Sequence, residues 1–141
     1  MLMITKKFNF EAAHHISNHP GLCREIHGHS YTLAVTLKGP IDPATDMIMD
    51  FKIIKKMVNA QIIKEQDHAL LLKKNEENAY GFSFYQGKVL WLSSEPTAER
   101  LWLWLVSKIR KCLPENIQLI RINLQDTPDS LATWESHENK I

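Results

Sequence analysis

Apolar and polar residues alternate with a period of two near the start of the chain. Phe8, Phe10, Ala12 and His14 fall on one side and Lys7, Asn9 and Glu11 on the other, which predicts a strand within residues 2–14. After a loop containing Asn18, Pro20 and Gly21 the alternation resumes, with His27, His29, Tyr31, Leu33, Val35 and Leu37 on one face and Ser30, Thr32, Ala34 and Thr36 on the other. Gly39-Pro40 ends this second strand. The period then lengthens. Phe51, Ile54, Val58 and Ile62 recur at spacings of three and four behind Asp50, a good N-cap residue, predicting a helix over about 50–65. Glu95-Pro96-Thr97-Ala98-Glu99 opens a second helix, whose apolar stripe is Leu101, Trp102, Leu105, Val106, Ile109 and Cys112, up to Pro114. Residues 117–124 alternate again, and residues 131–135 follow a Thr127-Pro128-Asp129-Ser130 turn, giving two last strands. Residues 73–94 show no clear period; a Gln86-Gly87 turn with Phe82 and Phe84 before it and Val89–Leu92 after it suggests a small hairpin. The order is β-β-α-α-β-β. Strand pairs with short connections imply one α+β domain over residues 1–141, an antiparallel sheet with two helices on one face.

Composition narrows the function. The 141 residues are 44% hydrophobic and 23% charged, enough to bury a core and far from disordered chains. Seventeen Lys+Arg against 16 Asp+Glu leave a net charge of +1, so the basic field that non-specific nucleic-acid binding needs is missing. Cys23 and Cys112 allow one bridge at most, not a disulfide framework. No apolar stretch of secretion-signal type follows the first lysines. The longest wholly apolar run, 101–106, has six residues, where a membrane span needs about 20. The expectation is a soluble cytoplasmic protein with reduced thiols and neither a nucleic-acid nor a membrane partner.

Seven histidines then stand out, at 14, 15, 19, 27, 29, 68 and 137. In His27-Gly28-His29 the two imidazoles point the same way from an extended strand and can converge on one ion. His14 lies near the end of the neighbouring predicted strand. Three neutral nitrogens and an open position would make a catalytic zinc site, although H-x-H also describes ordinary hydrogen-bonded strand histidines. Cys23, four residues before His27, is a candidate base or nucleophile or else a small buried hydrophobe, the reading that suits Cys112. Glu25 reads as a salt-bridging or solvent-facing acid. Asp67 could orient His68 for proton transfer, yet neighbours in sequence usually serve different partners. Asp126 reads as a binding carboxylate or as the start of a turn. His15, His19 and His137 have no partner pattern and read as surface residues, and Trp102 as core.

Together, F-x-F-x-A-A-H (Phe8 to His14), C-x-x-x-H-G-H-S-Y (Cys23 to Tyr31), M-x-M-D-F (Met47 to Phe51), D-H-A-L-L (Asp67 to Leu71) and P-T-A-E (Pro96 to Glu99) resemble the 6-pyruvoyltetrahydropterin synthase / 6-carboxytetrahydropterin synthase family. The motifs stand in the family's order. The resemblance implies the tunnelling fold, in which β-β-α-α-β-β subunits join their sheets into an oligomeric barrel, commonly trimers stacked as a hexamer with active sites between subunits. It also implies Zn2+ on His14, His27 and His29, Cys23 as the proton-abstracting thiolate, and His68 with Asp67 as an acid/base pair. Asp126 and Thr97 are the implied substrate-binding residues. The implied substrate is 7,8-dihydroneopterin triphosphate, and the spacing from Cys23 to His27 resembles the bacterial branch that forms 6-carboxytetrahydropterin and acetaldehyde on the way to queuosine. The implied alternatives are the pyruvoyl product and a pterin-binding zinc domain without turnover. The chain departs from the family pattern in having Asp126-Thr127 where a Glu-Thr pair is usual, Leu72 where Asn often follows the D-H motif, and a longer stretch over 73–93.

Overall fold

A computed structural model describes residues 1–17, 21 and 24–137. The two predicted N-terminal strands form as β1 (Met3–His14) and β2 (His27–Lys38), paired antiparallel along their whole length from Met3↔Lys38 to His14↔His27. The apolar alternation sets this register, because a slip of one residue would turn every core side chain outward. Phe10 faces Tyr31 across the pair and their rings stack at 4.8 Å. Gly39 ends β2 where a Cβ would meet Ile117 Cδ1 at 2.6 Å and the Asn116 carbonyl at 2.9 Å, so the chain can pass only without a side chain.

Asp50 caps α1 (Phe51–Val58) by accepting the Lys52 N–H at 2.8 Å. The helix continues through a π-helical turn, Asn59–Ile63, into α2 (Lys64–Gln66). Ile54, Val58 and Ile62 are buried as the period predicts, but Phe51, the first residue of the helix, is exposed. The second long helix, α4 (Ala98–Arg110), buries Leu101, Leu105, Val106 and Ile109. Cys112 lies beyond its end, half-buried, with Sγ donating to the Lys108 carbonyl. Trp102 packs on the core and stacks on Trp134. Strands β5 (Gln118–Thr127) and β6 (Ser130–Glu135) complete the antiparallel part, β5 against β2 and β6 against β5. Both long helices share one core with Phe8, Phe10, Tyr31, Leu33, Ile122 and Leu124, each such side chain being worth roughly 1.5–3 kcal/mol on burial.

The expected hairpin in 73–94 is not there. Instead β3 (Ala69–Lys73) runs parallel to β1, and β4 (Val89–Leu92) runs parallel to β3, joined by the short helix α3 (Glu76–Gly81). The sheet is therefore mixed and six-stranded, in the order β4-β3-β1-β2-β5-β6, and curls into a half-barrel. Period-two reading misses β3 for a physical reason: Ala69, Leu70, Leu71 and Leu72 are all buried, so the strand is covered on both faces and has nothing to alternate. The same correction applies to Ala34 and Thr36, expected on the polar side of β2 but buried there, with Thr36 Oγ1 2.8 Å from Thr5 Oγ1. Among the described residues no helix is long and apolar enough to cross a membrane.

Candidate metal centre and active site

Antiparallel register brings the three histidines together. His14 ends β1, His27 begins β2 directly opposite it, and His29 follows two residues on, facing the same side as Tyr31. Their ligand atoms all lie within 4.8 Å of one another. His14 is buried and the other two are half-buried.

Hydrogen bonding decides what this cluster suits. His14 Nδ1 lies 2.9 Å from the Pro96 carbonyl, and His27 Nδ1 lies 2.8 Å from the Glu25 carbonyl. A carbonyl only accepts, so both rings carry their proton on Nδ1 and present a lone pair at Nε2. These two Nε2 atoms stand 2.9 Å apart. Two lone pairs at that distance repel unless a cation lies between them. A proton is a poor candidate, because burial pulls the His14 pKa down to about 4, with His27 and His29 lowering it further against the opposing pull of the Pro96 carbonyl and Asp126. Burial, together with His27, lowers the His29 pKa as well, while Asp126 opposes. A divalent cation fits this neutral three-nitrogen donor set, and the carbonyl-held Nδ1–H groups are the outer partners that fix metal-ligating imidazoles.

The cluster borders a cavity of about 650 Å³ together with Thr97, Asp126 and Glu99. Thr97 holds the N-cap position of α4 without a side-chain bond to the helix, and it lines the cavity. Asp126 sits two residues beyond the core residue Leu124, where the β5–β6 register shifts between Gln125 and Thr127. That irregularity takes it out of the ladder beside the histidines. Asp126 lines the cavity, while Thr127 Oγ1 donates to Asp129 Oδ1 in the turn.

Asp67 and His68 do face each other. His68 has φ 59°, a left-handed conformation costing a non-glycine residue about 1–2 kcal/mol, and this swings Nδ1 to 3.0 Å from Asp67 Oδ2. Sequence neighbours on regular backbone could not do this. Asp67 Oδ1 accepts the Glu11 N–H at 2.8 Å, and this bond, with the hydrogen bond to His68, holds the carboxyl below the usual range. The pair nevertheless lies away from Thr97 and Asp126. His68 lines a second cavity, about 430 Å³, with Phe82, Phe84, Tyr85, Glu11 and Ser30; among the described residues the two cavities share only His29.

Cys23 and His19 lie outside the described residues. His137 is exposed, but His15 is half-buried, its Nδ1 against the Arg24 carbonyl and its ring 5.3 Å from Phe82. At Glu25 it is the backbone carbonyl, not the acid, that touches the site. Sequence reasoning missed the carbonyls of Glu25 and Pro96, which no residue type signals. It also passed over Tyr31, whose hydroxyl is 3.2 Å from His14 Nδ1 and whose place on the histidine side of β2 the alternation already shows.

A profile of the family described as 6-pyruvoyl tetrahydropterin synthase matches residues 3–137. The chain is 30% identical over 133 residues to 6-carboxy-5,6,7,8-tetrahydropterin synthase of Rickettsia bellii, covering 92% of this chain and 96% of that one. It is also 30% identical over 135 residues to dihydroneopterin monophosphate aldolase of Pyrococcus furiosus, covering 96% and 90%. Among solved structures, 6-pyruvoyl tetrahydropterin synthase of Caenorhabditis elegans superposes with a TM-score of 0.72 at 20% identity over 96% of this chain and 95% of that one.

Proposed function

The chain belongs to the 6-pyruvoyl tetrahydropterin synthase family and has its α+β tunnelling fold, and from that premise we propose that it is a zinc-dependent cytoplasmic lyase. It converts 7,8-dihydroneopterin triphosphate to 6-carboxy-5,6,7,8-tetrahydropterin with loss of acetaldehyde and triphosphate, a step toward queuosine-type deazapurines. The observation that carries this reading is the convergence of two carbonyl-locked imidazole lone pairs at 2.9 Å beside His29. The relatives named 6-carboxytetrahydropterin synthase support the choice of product.

In this reading His14, His27 and His29 would hold zinc, which would supply Lewis-acid polarisation of the substrate's side-chain hydroxyls and so make the adjacent carbons easier to deprotonate. Asp126 and Thr97 take the polar edge of the substrate, Asp126 with a carboxylate one methylene shorter than the family's usual Glu. Asp67 keeps the His68 proton on Nδ1, so His68 Nε2 is the atom that takes and returns a proton. Cys23 supplies the partner thiolate, a role carried by the motif resemblance. Because His68 lines a different cavity from Asp126, the complete site forms between subunits of a homo-oligomer, a trimer or hexamer. Zinc-loaded protein incubated with the triphosphate should give the 6-carboxylate and acetaldehyde by mass spectrometry. A 6-pyruvoyl product without acetaldehyde would assign the sister reaction, and absence of any product would leave a pterin-binding zinc domain.

The Pyrococcus furiosus relative favours a second reading, side-chain cleavage on a phosphate ester without loss of triphosphate. Assaying dihydroneopterin monophosphate in parallel separates the two.

A further inference from the structure

Residues 74–88 follow none of the motifs, yet they deliver one group to the Asp67–His68 turn. Lys88 Nζ donates to the Asp67 carbonyl at 2.8 Å and to the Lys64 carbonyl as well. The Asp67 carbonyl belongs to the same rigid peptide plane as the His68 N–H. That N–H donates to the Glu11 carbonyl. The plane is thus gripped at both ends, by β1 on its nitrogen and by Lys88 on its oxygen. Rotation of this plane is what would release His68 from φ 59°.

The turn is also held from its other side, by the Asp67 N–H on the Ile63 carbonyl and by Asp67 Oδ1 on the Glu11 N–H, both at 2.8 Å, but neither of these bonds holds the Asp67 carbonyl end of the plane. The His68 side chain is 78% exposed, so packing does not hold the ring, and its own bond to Asp67 survives only while the backbone keeps its shape. Lys88 is placed by the strand that follows it: its carbonyl accepts the Leu70 N–H at 2.9 Å, and Leu70 pairs with Val89 as β4 joins β3. Lys64 stands in the last turn of its helix, where carbonyls lack helical partners and a cation is the favoured neighbour.

We propose that Lys88 is a positioning residue, its ammonium bracing the Asp67–His68 turn so that the His68 ring stays on the wall of the aromatic cavity, and that this is what the long 73–93 stretch provides. The inference rests on the reading of His68 as an acid/base. Lys88→Met keeps the apolar stem and removes the donor. With zinc-loaded protein and 7,8-dihydroneopterin triphosphate, kcat should fall by about tenfold or more, toward the roughly hundredfold loss that a 1 Å misplacement can bring. KM and zinc content should stay within twofold of the parent. Lys88→Arg should restore most of the rate, and propylammonium added to Lys88→Ala should restore part of it. Unchanged kcat in Lys88→Met, or a loss that neither rescue reverses, overturns the brace. If the parent protein turns nothing over, the functional reading fails by itself, and the brace is decided by NMR of the His68 ring carbons. Movement toward free-histidine shifts in Lys88→Met supports it, and unmoved signals overturn it.

Discussion

Burial and the neighbouring imidazoles keep His14 neutral down to about pH 4 in the folded chain, whereas in the unfolded chain it binds a proton near 6.5. Between those values the unfolded state holds more protons, so stability is full above pH 6.5 and drains away as the pH falls toward 4. Urea unfolding of metal-free protein should therefore show a loss of about 2 kcal/mol between pH 7 and pH 5 from this residue, with His29 acting in the same direction. His14→Ala should remove the His14 share of this slope and leave only that of His29. The same substitution removes one of three converging nitrogens, and zinc affinity should drop on the order of a hundredfold or more, read by competition with a chromogenic chelator. That three histidines share a face was legible from their spacing. Which nitrogen each presents was not, because the carbonyls of Glu25 and Pro96 that set the tautomers come from chain positions no side-chain pattern marks.

The elements reward reading by period where one face meets the core, and defeat it where both do. Strand β1 and helices α1 and α4 each keep a single apolar face, and their sequence shows it, whereas β2 is buried on both faces from Leu33 to Leu37. Asp50 caps α1 as its position suggests, and Asp50→Ala should cost about 1 kcal/mol in chemical denaturation. Ile62, fully buried in the π-helical turn, should cost more: Ile62→Ala is expected to lose about 2–5 kcal/mol by the cavity it leaves. Strand β3 is the contrary case. Its four buried residues carry no alternation, and its partner β4 lies beyond α3, so the parallel extension of the sheet depends on pairings remote in sequence.

On the scale of the whole molecule, one chain assembles the three clustered histidines with Thr97 and Asp126, and assembles Asp67 with His68, but sets the two groups on separate cavities that, among the described residues, meet only at His29. If neighbouring subunits complete the site, two inactive proteins should complement. His14→Ala and His68→Ala, unfolded and refolded together in equal amounts, should regain activity at about one site in four, while each alone stays inactive. No recovery would place the whole reaction within one chain. The sequence by itself determined the amphipathic elements, the α+β class and the residue types able to bind zinc and move protons, because periodicity and side-chain chemistry are local properties. Only the tertiary structure decided the mixed sheet, the facing of the His14 and His27 lone pairs, the left-handed turn that lets His68 meet Asp67, and the division of the site into two cavities. Each of these depends on which backbone groups from distant segments find one another, and hydrogen-bond partners of that kind leave no mark on residue identity.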